Sequence, residues 1–229
     1  MLPLTLLTAL IINLFIAPAA DAEVPGSTPR HVILIIGDGM DEQQVTIARN
    51  YLKGAGGELL LDKMPMRGIA QVLTISDRVN GAPVYVADSA NTATSMATGE
   101  ITSRGRIATS AGDDRDLVTI VELAEDAGYR TGVVTTSSVT DATPAAFAAH
   151  ISMRFCESPA AMVNVTIKDV VVGDCSADLK ANGGPGSISE QLAMSELDVL
   201  LGGGSKHFAP TAEGATVSVA DLARERGFE

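Results

Sequence analysis

Leu117-Val118-Thr119-Ile120-Val121-Glu122-Leu123-Ala124-Glu125-Asp126-Ala127-Gly128-Tyr129 leads into Thr131-Gly132-Val133-Val134-Thr135-Thr136. Leu117, Ile120, Val121 and Ala124 recur at the spacing of one helix face, with Asp116 as the expected cap and Gly128 as the expected end. The β-rich run after it predicts a strand. Upstream, Val32-Ile33-Leu34-Ile35-Ile36 is a continuous apolar run closed by Gly37, the pattern of a strand buried on both faces in the middle of a parallel sheet. Downstream, residues 187–196 read as a helix and residues 198–201 as a strand, closed by Gly202-Gly203-Gly204. This alternation predicts an α/β fold, with a mostly parallel central sheet flanked by helices on both faces.

A chain of 229 residues that is 46% hydrophobic can bury a core of its own. Its formal charge of -12, with 16 Lys+Arg and no basic cluster, argues against nucleic acid as a partner. Aromatic residues at 3%, with no Trp, leave no platform for stacking bases. A small phosphorylated substrate stays compatible with this charge, because one or two local cations dominate a site.

The first 22 residues read as an export signal: an apolar run from Leu2 to Ile16, then small residues offering cleavage sites such as Ala20-Asp21-Ala22. An uncleaved membrane anchor is the rival reading, but the run falls short of the roughly 20 residues that a span prefers. The expected organisation is a signal over residues 1–22, a linker over 23–30 and an α/β domain over 31–229. No stable membrane span is expected after signal removal, and the destination is periplasmic or extracellular. Cys156 and Cys175 are an even pair in an exported chain, which points to a disulfide; two thiols holding a metal are the alternative.

The chemistry-bearing residues gather where an α/β sheet places its ligands, at the carboxyl ends of strands. Residues 82–86 read as extended and lead to Asp88-Ser89-Ala90, with Ser89 first on a helix of small residues that ends at Gly99. Unpaired N–H groups and the positive end of the helix dipole there suit an arriving anion. Capping alone is the plainer role for Ser89. Asp38 stands between Gly37 and Gly39 after the first run, a metal-ligand candidate or a turn aspartate. The predicted strand 131–136 delivers Asp141 and Thr143 to the same edge, oxygen donors that suit Mg²⁺; Thr143 with Pro144 also reads as a helix start.

Gly37-Asp38-Gly39-Met40, Asp88-Ser89-Ala90-Asn91-Thr92-Ala93-Thr94, Thr140-Asp141-Ala142-Thr143-Pro144-Ala145-Ala146 and His150-Ile151-Ser152-Met153-Arg154 stand in the order and spacing of the alkaline phosphatase family, which the chain resembles from about residue 31 to 229. The resemblance implies hydrolysis of small phosphate monoesters with Zn²⁺ and Mg²⁺. Asp38 would bridge a zinc and the magnesium, and Ser89 would be a zinc-bound, phosphorylated nucleophile. Thr143 would bind magnesium, Asp141 would support the magnesium site and Arg154 would clamp the phosphate. Cys156 and Cys175 would match the disulfide of bacterial members, and the family implies a homodimer. His150 matches a position that is not a ligand.

The second half of such enzymes, with its Asp, Glu and His ligands, has no counterpart here. Only His31, His150 and His207 are present, and neither His31 nor His207 reads as a zinc ligand. Residues 219–228 repeat the helical pattern of 121–129 with no strand after them, so the fold is expected to be incomplete at the C-terminus. Besides the enzyme, two alternatives follow: a noncatalytic truncated exported fragment, and a related sulfatase or phosphodiesterase-type metal hydrolase.

Overall fold

The structure, a computed structural model, describes residues 30–167 and 169–229. The expected export signal, and the linker apart from Arg30, lie outside the described residues. The chain divides into two units, residues 1–37 and 38–229. In the first, residues 31–37 carry no regular structure, and Val32, Ile33 and Ile35 are exposed. The strand predicted at residues 32–36 is therefore not formed. Apolarity favours burial, but a strand also needs a ladder partner for its N–H and C=O groups, and among the described residues this run has none.

The second unit opens with α1 (Glu42–Lys53), capped reciprocally by Asp41 and Gln44. α2 (Ser89–Thr98) begins as the sequence predicts. Asp88 accepts the Asn91 N–H (3.2 Å) while the Asn91 side chain accepts the Asp88 N–H (2.8 Å). Gly99 ends the helix in the left-handed region, with φ 76°. Asp88 thus takes the cap and Ser89 the first helical position. Residues 82–86, read as extended, make only one isolated bridge, Pro83 to Ile75.

α3 (Ile120–Asp126) starts later than the apolar spacing predicts. Thr119 is its cap, in a reciprocal pair with Glu122, while Asp116 bridges to Thr109 and buried Leu117 precedes the helix. The expectation of Asp116 as cap fails because the Thr-x-x-Glu box satisfies two helix-end donors at once. β1 (Gly132–Ser138) follows, then α4 (Ala142–Ala145). Asp141, rather than Thr143, caps α4: its carboxylate accepts the Ala142 N–H at 2.7 Å.

An antiparallel pair, β2 (Val165–Ile167) and β3 (Val170–Gly173), comes next, then α5 (Ile188–Met194), β4 (Val199–Gly203) and α6 (Val219–Glu225). β4 lies parallel to β1, pairing Gly132 with Val199 and Val134 with Leu201. The class is mixed α/β, with a parallel pair and flanking helices. α2 packs on α3 and α4, and α5 on α6. Ala90, Ala93 and Ala97 of α2 and Ala142 and Ala145 of α4 are fully or almost fully buried, so short side chains bring the serine-bearing helix close to the Asp141 turn. Among the described residues, no helix is long and apolar enough to cross a membrane.

Candidate functional site

Three segments converge on the first turn of α2. The box between Asp88 and Asn91 fixes the turn, and the Asn91 amide also donates to the Leu73 carbonyl (3.1 Å), so Ser89 stands on an anchored helix end. Gly105 N–H donates to Asp88 at 3.2 Å, and the Gly105 carbonyl accepts the Arg154 N–H at 2.7 Å. Gly105 has φ 85°, and a Cβ there would stand 3.0 Å from the Met153 sulfur, so the tie depends on glycine.

The Arg154 guanidinium faces this turn. One terminal nitrogen makes long contacts of 3.4 Å to the Ser89 hydroxyl and to Asp88, and the other donates to Asp141 at 2.8 Å. Its centre lies 5.6 Å from the Phe155 ring centroid, within cation–π range. Arg154 and Asp88 are mostly buried, whereas Asp141 is about half exposed, with 49% of its side chain accessible. The Asp141–Arg154 pair is consequently screened on one side, and its value lies more in aiming the guanidinium than in stability. A planar fork of donors beside a helix N-terminus is suited to hold a tetrahedral anion against the Ser89 hydroxyl.

A second pair lies at Asp38 and Thr143, where the Thr143 hydroxyl donates to the Asp38 carboxylate at 2.7 Å. These residues are 105 positions apart, and together they offer exposed hard oxygen donors of the kind that bind Mg²⁺ alongside water. Among the described residues, no group of three His, Cys, Asp or Glu side chains could hold a metal ion, so these two donors alone complete neither a magnesium nor a zinc site. His31 lies in the exposed stretch of the first unit. His150 packs with Nδ1 on the Ala108 carbonyl (3.0 Å) and Nε2 facing Glu122 (3.1 Å). Burial pushes the Glu122 carboxyl up, but the Thr119 N–H and His150 outweigh it and hold the carboxyl below its usual range.

Sequence reasoning brought Ser89 and Arg154 together, and Asp38 with Thr143, and set His207 aside as a zinc ligand, but it missed the pairing of Glu157 with His207. His207 Nε2 lies 3.1 Å from Glu157, and Thr140, next to Asp141, donates its hydroxyl to the same carboxylate oxygen at 2.5 Å. Burial pulls the His207 ring below its ordinary pKa, with Glu157 opposing and Lys206 adding to the fall. His207 and Glu157 line a cavity of about 450 Å³ that also touches Asp141 and Arg154. No local motif announces this pair, since 50 residues separate its members; the turn at Gly202–Gly204 was the only hint. Cys156 and Cys175 form a disulfide, with Cα atoms 6.4 Å apart, two residues beyond Arg154.

The family model described as alkaline phosphatase matches residues 29–228. Streptomycin-6-phosphate phosphatase of Streptomyces griseus is 45% identical over 227 residues, covering 96% of this chain and 47% of that protein. Alkaline phosphatase of Escherichia coli is 39% identical, covering 87% of this chain and 41% of that one. Among solved structures, alkaline phosphatase from the Antarctic bacterium TAB5 superposes with a TM-score of 0.60 at 28% identity, covering 88% of this chain and 47% of that chain. A histidine-to-glutamate mutant of the TAB5 enzyme carries Mg in its M3 site. This chain therefore spans about half the length of the relatives it matches, and it belongs to the alkaline phosphatase family.

Proposed function

We propose that the full-length protein hydrolyses phosphate monoesters, with Ser89 as nucleophile and Arg154 as the phosphate clamp. The observation that carries this reading is the Arg154 guanidinium poised 3.4 Å from a hydroxyl on the first turn of α2. Both the guanidinium and the helix dipole favour the deprotonated Ser89 oxygen and offset charge on the phosphoryl group. In the reaction, the Ser89 hydroxyl gives its proton to water as Oγ bonds to phosphorus, the ester bond breaks, and the leaving alkoxide takes up a proton from water. Water then attacks the phosphoserine, releasing phosphate and returning the hydroxyl. Arg154 holds two phosphoryl oxygens in its fork throughout, and Asp141 holds Arg154.

Asp38 and Thr143, supported by Asp141, are the residues that would hold Mg²⁺. The cation would supply positive charge beside the oxygens on which charge develops. Zn²⁺ finds no complete donor set among the described residues, and the zinc content of the full-length protein tests that dependence. The disulfide fits export to an oxidising compartment, periplasmic or extracellular. The name of the Streptomyces griseus relative makes streptomycin 6-phosphate a substrate to assay beside a chromogenic ester.

Replacing Ser89 by Ala in the full-length protein should abolish most turnover of p-nitrophenyl phosphate, and mass spectrometry of acid-quenched wild type should find phosphate on Ser89. Near-normal turnover in the variant would end the assignment.

A further inference from the structure

The Glu157 carboxylate, with no part in the chemistry above, ties together three segments that meet beside the site. It accepts the Thr140 hydroxyl at 2.5 Å and faces His207 Nε2 at 3.1 Å, while Thr140 also exchanges a hydrogen bond with Ser138 at 2.7 Å. Ser138 ends β1, His207 follows β4, and Glu157 lies three residues after Arg154. The backbone is committed to the same joint. The Gly203 carbonyl accepts the Val139 N–H at 3.1 Å, and a Cβ on Gly204 would fall 1.9 Å from the Ser138 hydroxyl.

We infer that Glu157 is a positioning residue: it clamps the Thr140–Asp141 turn to the Arg154 segment and so sets the aim of the guanidinium. The inference rests on the phosphatase reading. Asp141 and Arg154 meet through one half-exposed contact, and the backbone bond from the Asp141 N–H to the Ser138 carbonyl (3.1 Å) ties the turn to β1 but not to the Arg154 segment. Thr140 is fully buried and adjoins Asp141, so the Glu157–Thr140 bond holds the turn from its inner side. His207 Nε2 faces the same carboxylate oxygen and adds a second contact that holds it in place. A clamp of this kind acts on binding of the phosphate in ground and transition states alike, and so on KM more than kcat.

The test uses the full-length protein, with inorganic phosphate affinity from calorimetry and KM and kcat for p-nitrophenyl phosphate. Glu157→Ala should weaken phosphate about tenfold and raise KM to match, with kcat within about threefold of wild type. Glu157→Gln keeps an acceptor oxygen for Thr140 and should recover most of the loss; His207→Ala should weaken phosphate in the same direction by a smaller factor. Wild-type phosphate affinity in Glu157→Ala overturns the role. So does a Glu157→Gln variant as impaired as Glu157→Ala with a matching loss of thermal stability, which would make the residue merely structural. If Glu157→Ala does not fold, His207→Ala decides, and unchanged affinity in it refutes the clamp. A wild type that neither binds phosphate nor cleaves the ester sinks the phosphatase reading itself; a competent wild type with unaffected variants sinks only the clamp.

Discussion

Replacing both Cys156 and Cys175 by Ala separates what holds the fold from what shapes the site. The bond closes a loop of 19 residues, and both cysteines are fully buried, so alanine removes the cross-link without exposing a new polar group. In the chain-entropy model a loop of this length stabilises by about 3 kcal/mol, acting through the unfolded chain. For a unit of this size that corresponds to a fall in Tm of roughly 6–12 °C. The native geometry around Arg154 has other supports: Arg154 N–H to the Gly105 carbonyl (2.7 Å), Ile188 N–H to the Cys156 carbonyl (3.1 Å), Ser189 N–H to the Glu157 carbonyl (3.1 Å) and Cys175 N–H to the Met162 carbonyl (2.7 Å). Urea unfolding should show the loss, while calorimetric phosphate affinity at 25 °C stays within about twofold. A stability change below about 1 kcal/mol, or a tenfold loss of phosphate affinity in the folded variant, would refute this division of labour.

Other substitutions probe the remaining parts. Arg154→Lys should weaken inorganic phosphate at least about tenfold by calorimetry, because an ammonium cannot reproduce the two-pronged fork, and equal affinity would show that only charge matters. Thr143→Val should lower Mg²⁺ affinity measured by titration in the absence of substrate; an unaltered affinity would remove Thr143 from the cation site. Thr94→Val should destabilise by about 1–3 kcal/mol in urea, since the Thr94 hydroxyl accepts the buried Ala108 N–H at 2.9 Å and donates to the Arg106 carbonyl at 3.2 Å. Acid stability has a defined sign at Glu190. Burial pushes its carboxyl up, but Lys180, Ser187 and the Glu213 N–H outweigh it, so the folded pKa lies below the ordinary 4.5. Its contribution is present above that value and is lost as pH falls through the folded pKa, so Glu190→Gln should flatten the acid limb of stability against pH.

Local signals proved legible where one segment satisfies itself. α2 opens at Ser89 and ends at Gly99 as read, and the run over residues 131–136 falls in β1 from Gly132 onward. Residues 32–36 were misread because apolar periodicity records a preference for burial and carries no information about which strand supplies the ladder. Asp116 and Thr143 were chosen as caps by position, whereas Thr119 and Asp141 hold the geometry; in each case a neighbouring side chain reaches the first turn better. The β2–β3 pair went unread, since three- and four-residue strands leave too little alternation to detect. Of the site, the residues inside family-like motifs were visible. Glu157 and His207 were not, because their pairing follows from the parallel placement of β1 and β4.

That parallel placement also orders events in time. Gly132 and Val199 are register partners 67 positions apart, and Asp141, Arg154 and Glu157 all fall in the stretch between them. A growing polypeptide therefore exposes Arg154 long before the edge of β1 can be covered. Contacts so distant in sequence form slowly, since a large loop must close before any ladder bond rewards it. Nascent chains shorter than about 200 residues should leave β1 unpaired and open to protease, whatever the state of α2.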